Sequence, residues 1–103
     1  MHLRGKQKRY LRARANQMRA IFSVGKQGMT QTWLNELIKA LDKRELIKIK
    51  VLPNSGEDTS DVKKYIEGHS SIDVVQELGK TLVLFKPAKL AKYQKLSKIV
   101  ANI

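Results

Sequence analysis

A chain of 103 residues has room for one small domain with a single core, and its 21 Lys and Arg against 9 Asp and Glu leave it at +12, a balance expected of proteins that meet polyanions. It contains no cysteine, which excludes a disulfide framework, a thiolate nucleophile and a cysteine-type zinc site. The longest strongly apolar run, Leu82-Val83-Leu84-Phe85, is too short to span a bilayer and the basic N-terminus lacks an apolar signal stretch, so the expectation is a soluble, cytoplasmic protein.

The charge is unevenly placed. Residues 1–19 hold seven basic and no acidic residues, and residues 81–103 hold five and none, so the segment between them carries nine of each sign and is neutral. From about Gly5 to Met18 the residues favour a helix, with Leu3, Tyr10, Leu11 and Met18 on one side. Arg4, Lys8, Arg12 and Arg19 fall on an adjacent side at helical spacing. A merely solvated face tends to mix signs, so the absence of acids favours contact with a polyanion. Arg14 lies inside the apolar stripe, where its stem is expected to snorkel past its neighbours.

Ala20 to Val24 is nearly all apolar and predicts a strand buried on both faces. It stops at Gly25-Lys26-Gln27-Gly28, a G-x-x-G loop that leads into a helix-forming segment from Thr30 to about Lys43. Glycines at both ends let a foreign backbone approach and permit positive φ where a turn needs it. The free N–H groups at the start of the following helix, together with Lys26, make a phosphate the favoured occupant, with Gln27 adding a neutral donor and acceptor. In that helix Trp33, Leu34, Leu37, Ile38 and Leu41 form the apolar face, which places Trp33 in the core.

Leu46-Ile47-Lys48-Ile49-Lys50-Val51 alternates as a half-buried strand does, and Pro53-Asn54-Ser55-Gly56 breaks it. A third helix starts at Asp58 and runs through Val62, Tyr65, Ile66 and His69; with Glu57, Asp58, Asp61 and Glu67 it is the acidic element. Ile72 to Leu78 and Thr81 to Lys86 flank Gly79-Lys80, a linker that suits a type II′ hairpin, and the apolar last strand is expected to be central. After Pro87 the lysines recur every third residue, a period that drifts round a helix, so the tail reads as a loosely docked helix or a basic arm ordered on binding. The predicted order is α-β-α-β-α-β-β: a compact α/β domain over residues 1–87 with a lysine-rich extension at 88–103.

Catalytic and metal chemistry is poorly supplied. The two histidines, His2 and His69, have no second His or Cys at metal spacing. His69-Ser70-Ser71-Asp73 has the letters of a nucleophilic triad, but adjacent residues in a turn seldom form that geometry. The glycine loop lacks the length and the terminal Lys-Ser/Thr of a nucleotide-binding P-loop. The composition points to no cofactor, no metal and no small-molecule substrate. An enzyme acting on RNA and a basic membrane-surface protein are the competing classes; the second is disfavoured because the tail lysines do not hold one face.

Three segments, Val24-Gly25-Lys26-Gln27-Gly28-Met29-Thr30, Arg44-Glu45-Leu46-Ile47-Lys48-Ile49-Lys50-Val51 and Gly79-Lys80-Thr81-Leu82-Val83-Leu84-Phe85-Lys86-Pro87, occur in an order that resembles the YhbY family, the bacterial stand-alone form of the CRM domain. The resemblance implies a four-stranded mixed sheet similar to that of the C-terminal domain of translation initiation factor three. It also implies RNA binding, with association to precursors of the large ribosomal subunit; the resulting expectation is a non-catalytic protein that binds ribosomal RNA, with a monomer favoured and the oligomeric state left open. In that family the glycine loop and neighbouring basic surface are the RNA contact, which maps onto Gly25, Lys26, Gln27 and Gly28 and onto the first helix. The lysine-rich extension after Lys89 is not part of the shared pattern.

Overall fold

The computed structural model describes residues 2–103. The chain runs α1 (Gly5–Ala15), β1 (Ala20–Val24), α2 (Gln31–Arg44), β2 (Leu46–Val51), a 3-10 turn (Pro53–Ser55), α3 (Thr59–His69), β3 (Asp73–Leu78), β4 (Thr81–Phe85), a second 3-10 turn (Ala91–Tyr93) and α4 (Leu96–Ala101). The four strands form one mixed sheet in the order β1-β2-β4-β3. β1 is parallel to β2, across the crossover helix that a parallel neighbour requires, and β4 is antiparallel to both β2 and β3. The expected α/β class, the mixed sheet and the central place of β4 are all present.

Side-chain alternation divides the core into two layers. Ile47, Ile49, Val51, Leu82 and Leu84 point to one sheet face, where they meet Leu34, Leu37 and Leu41 of α2 and Val62 and Ile66 of α3. Leu46, Val75, Val83 and Phe85 point to the other and meet Leu11 and Ala15 of α1 and Leu96 and Val100 of α4. β4 therefore alternates between two buried faces, which is why its sequence is apolar throughout. β2 has a mixed second face, with Lys48 half-buried and Lys50 exposed. At the hairpin Leu78 pairs with Thr81, and Gly79 has φ +60° while Lys80 stays at negative φ, as a type II′ turn requires.

Two local expectations are corrected. The first helix stops at Ala15, where Asn16 caps it and the Met18 N–H returns to the Ala15 carbonyl at 3.0 Å. β1 is not buried on both faces: it is an edge strand in which Ala20, Ile21 and Ser23 are exposed and only Val24 is fully buried. Its apolar composition did not carry its position, because α1 packs over β2, β3 and β4 and leaves the outer face of β1 open.

The C-terminal extension is docked, which decides between the two readings of it in favour of a docked helix over a basic arm. Glu45, at the end of α2, is fully buried and adopts φ +65°. Its carboxylate accepts N–H groups from Ala88 at 2.7 Å, Lys95 at 3.0 Å, Leu96 at 2.9 Å and Ser97 at 3.1 Å. Burial alone pushes the Glu45 carboxyl up, but Ser97 and the N–H groups of Ala88, Ser97 and Leu96 outweigh it and hold the group below the usual carboxylate range. From α1, the Gln7 side chain donates to the Val100 carbonyl at 2.9 Å and the Arg4 guanidinium donates to the Ile103 carbonyl.

Deleting residues 89–103 uncovers the layer against Leu96 and Val100 and strips three of the four donors from a buried carboxylate. The expected loss is about 4 kcal/mol or more, read as a large drop in melting temperature. Glu45→Gln keeps the shape but turns an amide NH2 towards backbone donors, so urea melts at pH 7 should show a loss of about 1–3 kcal/mol. The sign with pH follows from the lowered carboxyl: its stabilisation is complete above the unfolded carboxyl range and is lost as pH falls through the folded value. The gap between wild type and Glu45→Gln should therefore narrow in acid, and a gap constant with pH would show that the Glu45 charge contributes nothing.

Candidate nucleic-acid interface

The G-x-x-G segment is a tight turn held at both ends by backbone hydrogen bonds. The Leu52 N–H donates to the Val24 carbonyl at 2.9 Å, and the Gly28 N–H donates to the Gly25 carbonyl at 2.9 Å. This leaves Lys26 and Gln27 exposed at the tip. The two glycines are not equivalent. Gly28 has φ +69°, where a side chain is strained, and a Cβ there would lie 3.4 Å from a Glu57 carboxylate oxygen. Gly25 has negative φ, and a Cβ there would make only ordinary contact with Leu52, at 3.9 Å.

α2 begins directly after the turn. Thr30 is its N-cap, with the hydroxyl accepting the Trp33 N–H at 3.0 Å, and no acidic residue occupies its first turn. The remaining N-terminal N–H groups and the positive end of the helix dipole stand beside Lys26. Trp33 does two things. Its ring packs against the core and lies 5.8 Å from Phe22, while its indole N–H donates to the Ser23 carbonyl at 2.9 Å and pins the ring under the turn. Gly25, Lys26, Gln27 and Gly28 line a cleft of about 640 Å³ together with Thr30, Thr32 and Trp33. Thr32 and the wall formed by Trp33 were missed in the sequence; the capping position of Thr30 before an apolar run is the signal that could have placed them at the cleft.

The basic residues of the N-terminal segment are placed apart from this cleft. Arg4 is the N-cap of α1 and reaches the C-terminal residue of the extension. Lys8 is exposed and Arg12 half-exposed on α1, and neither lines the loop cleft. Lys8 also lies within the field of Asp73, whose carboxyl is pushed up by burial and drawn back by that lysine. Arg19 precedes β1 and therefore sits at the far end of that strand from the loop. Arg14 is exposed, as snorkelling predicts, with its guanidinium 3.5 Å from the Tyr10 hydroxyl.

The triad letters do not assemble. The His69 Nδ1 faces the Tyr65 carbonyl at 2.9 Å with its ring stacked on Tyr65, and the Ser70 hydroxyl donates to the Ile66 carbonyl at 2.6 Å. Among the described residues no group of three His, Cys, Asp or Glu side chains could hold a metal ion, and no helix is long and apolar enough to cross a membrane.

Comparison with known proteins finds relatives over most of the chain. The chain is 44% identical over 87 residues to the probable RNA-binding protein YqeI of Bacillus subtilis, covering 84% of this chain and 91% of that one. It is 34% identical over 89 residues to a protein of Haemophilus influenzae named RNA-binding protein, covering 86% of this chain and 90% of the relative. The solution structure of the hypothetical protein SAV1595 from Staphylococcus aureus superposes with a TM-score of 0.71 at 33% identity, covering 91% of this chain and 98% of that one. The model of the CRS1/YhbY (CRM) domain matches residues 3–86, and with the mixed sheet and the glycine turn between β1 and α2 in place, the chain belongs to the CRS1/YhbY (CRM) domain family.

Proposed function

We propose that this protein is a non-catalytic RNA-binding protein that holds an RNA phosphate at the turn from Gly25 to Gly28 and acts on ribosomal RNA in cytoplasmic assembly of the large ribosomal subunit. The observation that carries the RNA contact is the open turn at the start of α2, with Lys26 at its tip and no acidic residue in the first helical turn. The names of the relatives from B. subtilis and H. influenzae support RNA as the partner. The ribosomal assignment rests on the family resemblance, and its test is co-sedimentation of the tagged protein with large-subunit precursors in sucrose gradients, followed by sequencing of crosslinked RNA.

Trp33 gives the turn a fixed wall, so the recognition surface is built before the ligand arrives and little ordering cost falls on binding. Backbone N–H groups do not depend on one side chain, and Lys26 adds a point charge to them. Gly25→Asp places a carboxylate against the proposed phosphate at a position whose backbone tolerates it, and the expected loss of RNA affinity is on the order of tenfold or more. Lys26→Ala leaves the backbone donors in place and should cost only about two- to fivefold. Fluorescence titrations, with circular dichroism melts on each variant, make the comparison; a folded Gly25→Asp protein that binds like wild type reduces the loop to a turn.

The exposed cations of α1 are tested separately from Arg4, which has a structural partner. If Lys8 and Arg12 both touch phosphate, replacing them with Gln should flatten the slope of log K against log salt by about 1.4, at roughly 0.7 per contact with a single strand. An unchanged slope moves the contact surface off this helix.

A further inference from the structure

A second cleft, of about 520 Å³, opens at the end of β1 remote from the glycine turn. Arg14 and Arg19 approach it from the end of α1 and the following turn, Lys43 and Arg44 from the last turn of α2, and Lys95 from the docked extension. None of these five cations has an ion-pair partner among the described residues. The carboxylate at the cleft, Glu45, is 1% exposed and already accepts four backbone N–H groups, so it does not neutralise the rim. Between the cations lies apolar surface. Ile21 at 47% exposure and Ile99 at 46% are two of the four exposed large hydrophobic side chains among the described residues, both line this cleft, and the half-buried ring of Tyr93 lies beside them.

We propose that this cleft is a second contact for single-stranded RNA, with the five cations on backbone phosphates and an unpaired base lying over Tyr93 and Ile99. The inference rests on the RNA-binding reading and extends it to a surface that the C-terminal extension completes, since Tyr93, Lys95 and Ile99 lie beyond the residues matched by the family. The chemistry selects the occupant. A single strand alternates anionic phosphate with flat apolar bases, and a basic rim around an aromatic and aliphatic floor satisfies both. β1 spans five residues, so the cleft and the glycine turn stand about 17 Å apart, and one RNA can bridge them across the exposed edge strand.

The test uses the full chain, a fluorescein-labelled U20 RNA and total ribosomal RNA. The variant Lys43→Gln, Arg44→Gln, Lys95→Gln changes only exposed side chains. It should bind U20 about tenfold more weakly at 0.1 M salt, with a log–log salt slope flatter by about 2. Tyr93→Ala should weaken binding about fivefold or more with the slope unchanged, because stacking releases no counterions. U20 carrying 4-thiouridine should crosslink to the peptide that contains Tyr93. If the triple variant keeps wild-type affinity and slope while Gly25→Asp binds weakly, the cleft is idle and the glycine-turn reading stands alone. Displacement of U20 by polyglutamate as effective as by unlabelled RNA would make the cleft a site for acidic polypeptide and overturn the proposal. Failure of the wild-type chain to bind either RNA would remove the RNA reading and this one together.

Discussion

The carboxylate of Glu45 holds together parts of the fold that the sheet alone does not connect. Its backbone closes α2 by donating to the Leu41 carbonyl at 2.7 Å and accepts the Lys86 N–H at 2.9 Å beyond the end of β4. Its side chain gathers Ala88 and the first N–H groups of α4. A helix of six residues with no capping side chain of its own does not persist alone in water. Here an acidic group from a distant segment serves as the cap and meets the positive end of the helix. The left-handed backbone at Glu45 costs roughly 1–2 kcal/mol, and glycine would relieve it. Glycine would also leave the buried N–H groups of Ala88, Leu96 and Ser97 without an acceptor, and that penalty is larger.

The glycine turn obeys a different constraint. Gly28 is required by conformation, since its φ of +69° is one that residues with a side chain rarely adopt. Gly25 is not so required, and its bare surface beside Lys26 has no structural use in the described chain. The support beneath is rigid: Val24 is fully buried, and Trp33 is fixed by both packing and its indole hydrogen bond.

Most of the architecture was legible from side-chain period and turn chemistry. The alternation from Leu46 to Val51 gave β2 its two faces, and Gly79-Lys80 gave the hairpin. Position in the sheet was not legible for β1, because a nearly all-apolar run of five residues reads the same whether a helix covers both faces or only one. Glu45 was hidden as well: a glutamate beside Arg44 at a helix end reads as a solvated charge, and its donors lie more than forty residues away in sequence. For the same reason the tail left a docked helix and an arm both open. Its apolar residues, Leu96 and Val100, are spaced by four and were visible, but nothing local announced the acceptor that fixes them.

That docking decides where the charge goes. The N-terminal and C-terminal segments hold twelve basic and no acidic residues between them, and α1 packs against α4 on one face of the sheet. α3, which carries Asp61 and Glu67 and is preceded by Glu57 and Asp58, lies on the opposite face. Bringing two like-charged segments together opposes folding, and it is sustained by the apolar layer around Leu11 and Val100 and by the hydrogen bonds of Gln7 and Arg4 to the extension. The result is a body in which α1 and α4 carry basic residues without acids, whereas α2 and α3 on the opposite face mix both signs. The net charge of +12 attracts polyanions, most strongly where the basic residues have no acids among them. The same arrangement couples binding to folding: a polyanion on that face relieves the repulsion between α1 and α4, and by linkage it stabilises the contact that built the surface.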